Sequence, residues 1–244
     1  MRIPRVYVPM SLSEGMDLLL APEAARYLSS VLRVSAGDTI KLFNETDGEF
    51  LSTVIFEGKK KLEVEIKEKV SAPEEPILPI HLFLTFSKGD RMDYAIQKAT
   101  ELGVSQITPV FSEYCEVKVK IDRIENKLRH LRKVAIGACE QSGRVGIPKI
   151  NSPKNFADVW RRDLDQAATK IVLDPRGDKG LNHLSTLKSV EIFVGPEGGF
   201  SNDELSEAKN FGANLLSLGP RILRTETAPV VALALLQYLH GDLG

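Results

Sequence analysis

The sequence is poor in the residues that build covalent or metal frameworks. Only two cysteines, Cys115 and Cys139, and four scattered histidines occur in 244 residues. With no CxxC pair among them, neither a disulfide framework nor zinc-ligand spacing is encoded. No metal is expected. No N-terminal stretch reads as a signal peptide, and no uninterrupted apolar run approaches the roughly 20 residues that span a bilayer. A cytoplasmic protein without a membrane segment is the expectation. Internal repeats and low-complexity tracts are missing as well. What remains is ordinary for a globular chain, 43% hydrophobic and 27% charged, and long enough for one large or two unequal domains.

A strong charge of either sign is also lacking, since the net charge is -1. That excludes a globally basic nucleic-acid binder, yet the average conceals a local excess. From Val117 to Lys149 nine Lys or Arg stand against three acids. Such a cluster is either the solvated face of a helix or a phosphate-facing surface that releases counterions on binding nucleic acid.

Texture changes along the chain. Thr39 to Phe43 and Phe50 to Phe56 flank the turn signal Asp47-Gly48, and Leu62 to Ile66 alternates with period two, so a small β-barrel or β-sandwich is expected. A short helix is expected over Glu23 to Leu32. The stretch SAPEEPILP, residues 71–79, carries three prolines and two acids and disfavours regular structure. A domain boundary is placed there, giving domains 1–72 and 73–244. Beyond it, apolar runs at Ile80–Phe86, Ile107–Phe111, Lys170–Leu173, Val190–Val194 and Asn214–Leu218 alternate with helical segments. This is the pattern of an α/β domain with a mostly parallel sheet. Met92, Ile96, Ala99 and Leu102 recur at helical spacing, as do Ile121, Ile124, Leu128, Leu131, Ala135 and Ala138.

Three glycines and a proline crowd into Gly195-Pro196-Glu197-Gly198-Gly199, directly after the run Val190–Val194. Ser201 and Glu204 then offer a capping box for a following helix. Ligands in open α/β sheets bind at the carboxyl ends of strands, so this loop is a ligand-site candidate, with a plain tight turn as its structural alternative. It matches neither the P-loop nor the dinucleotide fingerprint. Residues 215–240, LLSLGPRILRTETAPVVALALLQYLH, give another strand, a loop and a helix entered through Thr225 or Thr227 as cap. The helix body Val230 to Leu239 is nearly uninterrupted apolar sequence, which calls for burial in a core or a subunit interface. Arg221, Arg224 and Glu226 sit beside it, which is costly unless they are paired or serve a ligand.

Taken in series, FVGPEGGFSNDEL, LSLGPRILRTETA, QKATELGV and CEQSGR, with RIPRVYVP and VLRVSAGD near the start, resemble the RsmE-type 16S ribosomal RNA uridine N3-methyltransferases of the SPOUT class. The resemblance covers essentially the whole chain. It implies a C-terminal domain with a deep trefoil knot, a small N-terminal PUA-like β-barrel that holds RNA, and a homodimer. It also implies S-adenosylmethionine bound in the knot. The cofactor positions carried over are Leu173 and Asp174 on one loop, Gly195, Pro196, Glu197, Gly198 and Gly199 on a second, and Leu218, Gly219, Ile222, Leu223, Thr227 and Ala228 on a third. Glycines let backbone amides approach an adenosine closely while Leu218, Ile222 and Leu223 wall its purine. Two loops depart from the family pattern: Tyr27 stands where a histidine often precedes VLR, and Tyr114 and Cys115 stand where an arginine and a serine are common.

The implied substrate is a uridine near the 3′ end of 16S ribosomal RNA, in naked RNA or in the assembled small subunit. Its N3 is a weak acid that must lose a proton as the methyl group is attacked, while negative charge builds on O2 or O4. Arg224 is the expected electrostatic partner of that charge, with Glu226 either orienting it or accepting the proton. Arg5 and Arg33, in the small domain, and Arg91, Arg123, Lys127 and Arg144 are expected RNA contacts. Another SPOUT-class methyltransferase, a non-catalytic RNA-binding assembly factor and a nucleotide-dependent enzyme are the alternatives. The last is disfavoured by the missing P-loop lysine.

Overall fold

The computed structural model describes residues 3–58, 61–71, 76–162, 164–185 and 187–244. The chain divides into two compact units, Met1–Glu75 with Cys139–Ile147, and Pro76–Ala138 with Pro148–Gly244. The boundary expected between residues 72 and 73 lies outside the described residues.

In the first unit, β1 (Arg5–Tyr7), β2 (Asp17–Leu19), β3 (Thr39–Asn44), β4 (Gly48–Gly58) and β5 (Lys61–Val70) form one sheet in the order β1-β3-β4-β5-β2. Only the β1–β3 pair is parallel. The expected β3–β4 hairpin turns at Asp47-Gly48, where Asp47 Oδ2 accepts from Leu12 N at 2.8 Å and from Asn44 Nδ2 at 2.9 Å. The two three-residue strands are too short for a period-two signal and were not legible. The expected helix over Glu23 to Leu32 is α1 (Pro22–Arg26) followed by a π-helical turn at Tyr27–Val31. Leu28, Ile40, Leu42, Leu62, Val64 and Ile66 are fully buried in this unit's core.

Arg5 belongs to that interior rather than to a surface. Its Nε donates to Glu49 Oε2 at 2.6 Å, and Nη1 and Nη2 donate to the carbonyls of Cys139 at 2.5 Å and Gly143 at 3.0 Å. The guanidinium also lies 4.2 Å from the centre of the Phe43 ring. Expected to contact RNA, Arg5 instead spends its donors on buried partners. Those bonds explain why Cys139–Ile147, expected in the second domain, groups with the first unit.

The second unit contains β6 (Ile80–Thr85), α2 (Arg91–Glu101), β7 (Gln106–Phe111), α3 (Ile121–Ser142, whose last turn falls in the first unit), β8 (Lys149–Ile150), β9 (Lys154–Asn155) and α4 (Phe156–Arg162). It continues with β10 (Thr169–Leu173), β11 (Val190–Val194), α5 (Asn202–Asn210), β12 (Asn214–Leu216) and α6 (Thr227–His240). The sheet runs β12-β10-β11-β6-β7-β8, with β9 also on β7, and every pair is parallel. All five expected strands of this domain and both periodic helices are present, with their apolar stripes turned inward: Met92, Ile96, Ala99, Leu131, Ala135 and Ala138 are buried. A stacked aromatic group, Phe83 on Phe193 and Phe193 on Trp160 with ring centres 4.4 Å apart in each case, fills the layer between the sheet and α4.

The chain after β10 crosses the end of β12 at close range. Asp174 N donates to Leu216 O at 3.0 Å and Ser217 N to Lys179 O at 2.9 Å. A Cβ on Gly177 would lie 2.7 Å from the carbonyl carbon of Leu216, so only glycine fits that crossing.

Candidate active site

Because β12, β10 and β11 are neighbours and parallel, their carboxyl ends release three loops at one edge of the sheet. Those loops enclose a cavity of about 420 Å³, within the range that takes a small organic ligand. Leu173, Asp174 and Pro175 come from the first loop, Gly195, Pro196, Glu197 and Gly199 from the second, and Leu218, Gly219, Ile222, Leu223 and Ala228 from the third. Arg224, Glu226 and Arg91 line it too. Of the expected cofactor positions, Gly198 and Thr227 are not in the wall. The Cβ direction of Gly198 faces Tyr114, 3.2 Å away, and Thr227 is the first residue of α6. The cap of α6 is Glu226, not Thr225 or Thr227, and it caps without a side-chain bond. Its side chain is therefore left for the cavity.

Sequence reasoning did not assign Val194 and Leu216 to the site, although both line the cavity. Their positions at the ends of β11 and β12 were the available signal. It also missed Arg176, which holds two of the loops together. Arg176 Nε and Nη2 grip Asp174 at 2.7 and 2.8 Å, while Nη2 and Nη1 also donate to Phe200 O at 2.8 Å and Asn202 Oδ1 at 3.0 Å. Burial pushes the Asp174 carboxyl up, but its hydrogen bonds with Arg176 outweigh this and hold it below the usual carboxylate range. Asp174 thus acts on its neighbours as a fixed anion. The capping box is present: Glu204 N donates to Ser201 Oγ at 3.2 Å and Ser201 N to Glu204 Oε2 at 2.9 Å. It anchors the glycine loop onto α5.

Glu226 differs from the other acids of the cavity. Asp174 is clamped by Arg176 and Glu197 pairs with Arg91. Among the described residues Glu226 meets only Arg224, at 3.9 Å, and its Oε2 is buried with no hydrogen-bond partner. Arg224 is 79% exposed, so that pair is loose. A buried carboxylate oxygen without a donor is costly in a folded chain, and one that lines a cavity, as here, is placed to meet a ligand's proton or amide. The cavity therefore suits a ligand with an apolar ring, an electron-poor centre and hydrogen-bonding edges. Among the described residues no cluster of His, Cys, Asp and Glu suits a metal ion.

The remaining expected RNA positions are dispersed. Arg33 is exposed and holds a positive φ of 56°, a strained conformation for a residue with a Cβ. Arg123 is exposed on α3, Lys127 one turn on pairs with Asp93 at 3.6 Å, and Arg144 is half-buried.

The parallel α/β unit with its pocket at the strand ends, and the small β unit, match the two domains of an RNA methyltransferase. Residues 73–237 match the RNA methyltransferase domain and residues 20–67 the RNA methyltransferase PUA domain. A ribosomal RNA small subunit methyltransferase E from Buchnera aphidicola is 37% identical, with 99% of this chain and 98% of that protein aligned. The same-named enzyme of Neisseria gonorrhoeae, solved bound to S-adenosyl methionine, superposes with a TM-score of 0.92 at 34% identity over 100% of both chains. A methyltransferase of Legionella pneumophila, solved with its bound cofactor SAM, gives a TM-score of 0.95 at 38% identity, also over 100% of both chains. The chain belongs to the ribosomal RNA small subunit methyltransferase E family.

Proposed function

We propose that the protein transfers a methyl group from S-adenosylmethionine to N3 of a uridine near the 3′ end of 16S ribosomal RNA, in the decoding region. The observation that carries this reading is the unpaired Glu226 oxygen inside a cavity whose other acids are already committed. Bound S-adenosylmethionine supplies an electrophilic methyl on a sulfonium. The chain supplies position and charge. Leu173, Leu218, Ile222 and Leu223 wall the adenosine, and backbone groups of Gly195 to Gly199 and of Gly219 approach it closely. Glu226 accepts the N3 proton of the uracil through its free oxygen, and the nearby Arg224 guanidinium stabilises the negative charge that spreads to O2 or O4. No lysine or metal is called for in either step.

Residues 1–72 serve as the RNA-holding PUA-like unit and 73–244 as the catalytic unit, whose crossing at Gly177 is part of a trefoil knot. Arg33, Arg91, Arg123, Lys127 and Arg144 contact the RNA, whereas Arg5 braces the loop that carries Arg144. A homodimer covers the outward stripe of α6, where Leu235, Tyr238 and Leu239 are 41, 63 and 44% exposed at helical spacing. No described helix is long and apolar enough to cross a membrane, and the enzyme works in the cytoplasm on ribosomal RNA. Calorimetry with S-adenosylmethionine and mass-spectrometric mapping of 16S RNA from cells lacking the protein test the proposal. Binding together with loss of one methyluridine is expected. Failure to bind either the cofactor or its demethylated product would overturn it.

A further inference from the structure

We infer that Tyr114 is a stacking platform for a base of the substrate RNA that flanks the methylated one, an inference that rests on the RNA-methylating reading of the cavity. The loop after β7 carries this side chain onto the outer surface of the glycine loop. Tyr114 Cβ would lie 3.2 Å from a Cβ on Gly198, with Cγ and Cδ2 at 3.6 and 3.7 Å. Gly198 sits between Glu197 and Gly199, both of which line the cavity. Its missing side chain is thus what lets an aromatic residue stand at the cavity's rim.

The loop is tied down around that residue. Glu113 N donates to Glu204 Oε1 at 2.9 Å, joining it to the capping box of α5, and Cys115 N donates to Ser112 O at 3.1 Å. Cys115 Sγ donates to Phe86 O at 3.5 Å. Tied at its root, Tyr114 is nonetheless 48% exposed, and its ring has no hydrogen bond or ring contact among the described residues. Phe83, Phe156, Trp160, Phe193 and Phe200 of this unit stack on one another inside it, and its other exposed rings, Tyr94, Phe211 and Tyr238, do not line the cavity. A half-exposed tyrosine on a tied backbone, with only two side-chain torsions to order, offers a face that any base can cover.

Charge of both signs surrounds it: Arg91, Arg221 and Arg224 line the cavity together with Glu197, and Glu113 and Glu116 flank Tyr114 in the chain, so the ring face and not charge carries the inference. A target base drawn into the cavity leaves its neighbour unstacked at the rim, where an aromatic face replaces the lost partner. Sequence preference at that neighbour would be weak, because stacking tolerates every base.

The test compares Tyr114→Phe, Tyr114→Leu and Tyr114→Ala in the full-length protein. The substrate is small ribosomal subunits from cells lacking the enzyme, and cofactor binding is followed separately by calorimetry. Stacking predicts a KM for subunits about tenfold higher for Ala and for Leu, a value within about twofold of wild type for Phe, and unchanged S-adenosylmethionine affinity in all three. Leu behaving like Phe would reduce Tyr114 to apolar packing and overturn the inference. So would a wild-type KM for Ala, or a loss of KM that tracks a loss of cofactor affinity. A wild-type protein that binds no cofactor and methylates no subunit would instead bring down the functional reading itself, an outcome distinct from all of these.

Discussion

Two arginine–carboxylate pairs, one in each unit, are built on opposite terms. Arg5 and Glu49 are 6 and 3% exposed, meet at 2.6 Å, and share further partners in Lys41, Phe43 and the carbonyls at the end of α3. Arg224 and Glu226 meet at 3.9 Å, with the arginine in solvent and one carboxylate oxygen without a hydrogen-bond partner among the described residues. The first pair has met the cost of burying charge by satisfying it, and it holds a loop. The second leaves that cost standing, and leaves it inside a cavity. Satisfied polar clusters make architecture, while unsatisfied ones facing a cavity make sites.

If that contrast is right, breaking the first pair should cost stability and breaking the second should cost rate. Arg5→Met strips the buried Glu49 of one of its two cationic partners and removes the guanidinium that donates to the carbonyls of Cys139, Gly143 and Arg144. We expect a loss of about 3–5 kcal/mol in urea unfolding. The additional change Glu49→Leu should recover part of it. A loss under about 1 kcal/mol for Arg5→Met would erase the distinction between the pairs. In the other unit, Glu226→Gln should lower kcat by about 10²–10³-fold while the unfolding midpoint stays near wild type, because the group has little to lose in the folded state. Arg224→Met should act in the same direction. Single-turnover methylation with saturating cofactor reads both, and a Glu226→Gln enzyme of full rate would remove the proposed proton acceptor.

The same contrast explains what was legible in the sequence. Strands and helices with clear periodicity were readable because burial imposes the period on the residues themselves. Of the three cavity loops, the glycine loop was readable because glycine and proline crowd where backbone must approach a ligand, whereas the cofactor positions of the other two rested on the family resemblance. Arg5 was misplaced for the opposite reason: an arginine reads the same whether it faces solvent or a ring of carbonyls, and its partners at Cys139 and Gly143 are more than 130 residues away. Gly177 carries the tightest part of the crossing after β10, yet nothing in Pro175-Arg176-Gly177-Asp178 distinguishes it from an ordinary turn. Arg176 escaped notice because its role depends on Phe200 and Asn202, which only the folded sheet brings beside it. The cap of α6 was set at a threonine by propensity, whereas Glu226 takes the position and keeps its side chain for the cavity.

A third cluster shows that an orphaned carboxylate alone does not make a site. His81, Thr108, Glu191 and Asn151 meet among the starts of the sheet strands, His81 Nε2 lying 2.8 Å from Thr108 Oγ1 and Nδ1 lying 4.0 Å from Glu191 Oε1. Glu191 Oε2 is buried and unpaired, as in Glu226, but it does not line the cavity of the three loops. Burial, and then the charge of Lys149, push the imidazole down to about 4, while burial pushes the Glu191 carboxyl up. Between pH 6.5 and 4 the unfolded chain therefore takes up a proton on His81 that the folded chain refuses, and stability falls as the pH is lowered through that window. The full effect is at most about 3 kcal/mol. Glu191 acts in the other direction, since the folded chain protonates it first and gains stability as the pH drops, so the net slope is smaller. His81→Gln should flatten the fall in unfolding free energy between pH 6.5 and 4 and leave kcat/KM at neutral pH within about twofold of wild type. A large loss of rate instead would mean that the cluster at the strand starts communicates with the cavity at the strand ends, and that cavity access is the wrong criterion for separating sites from scaffolding.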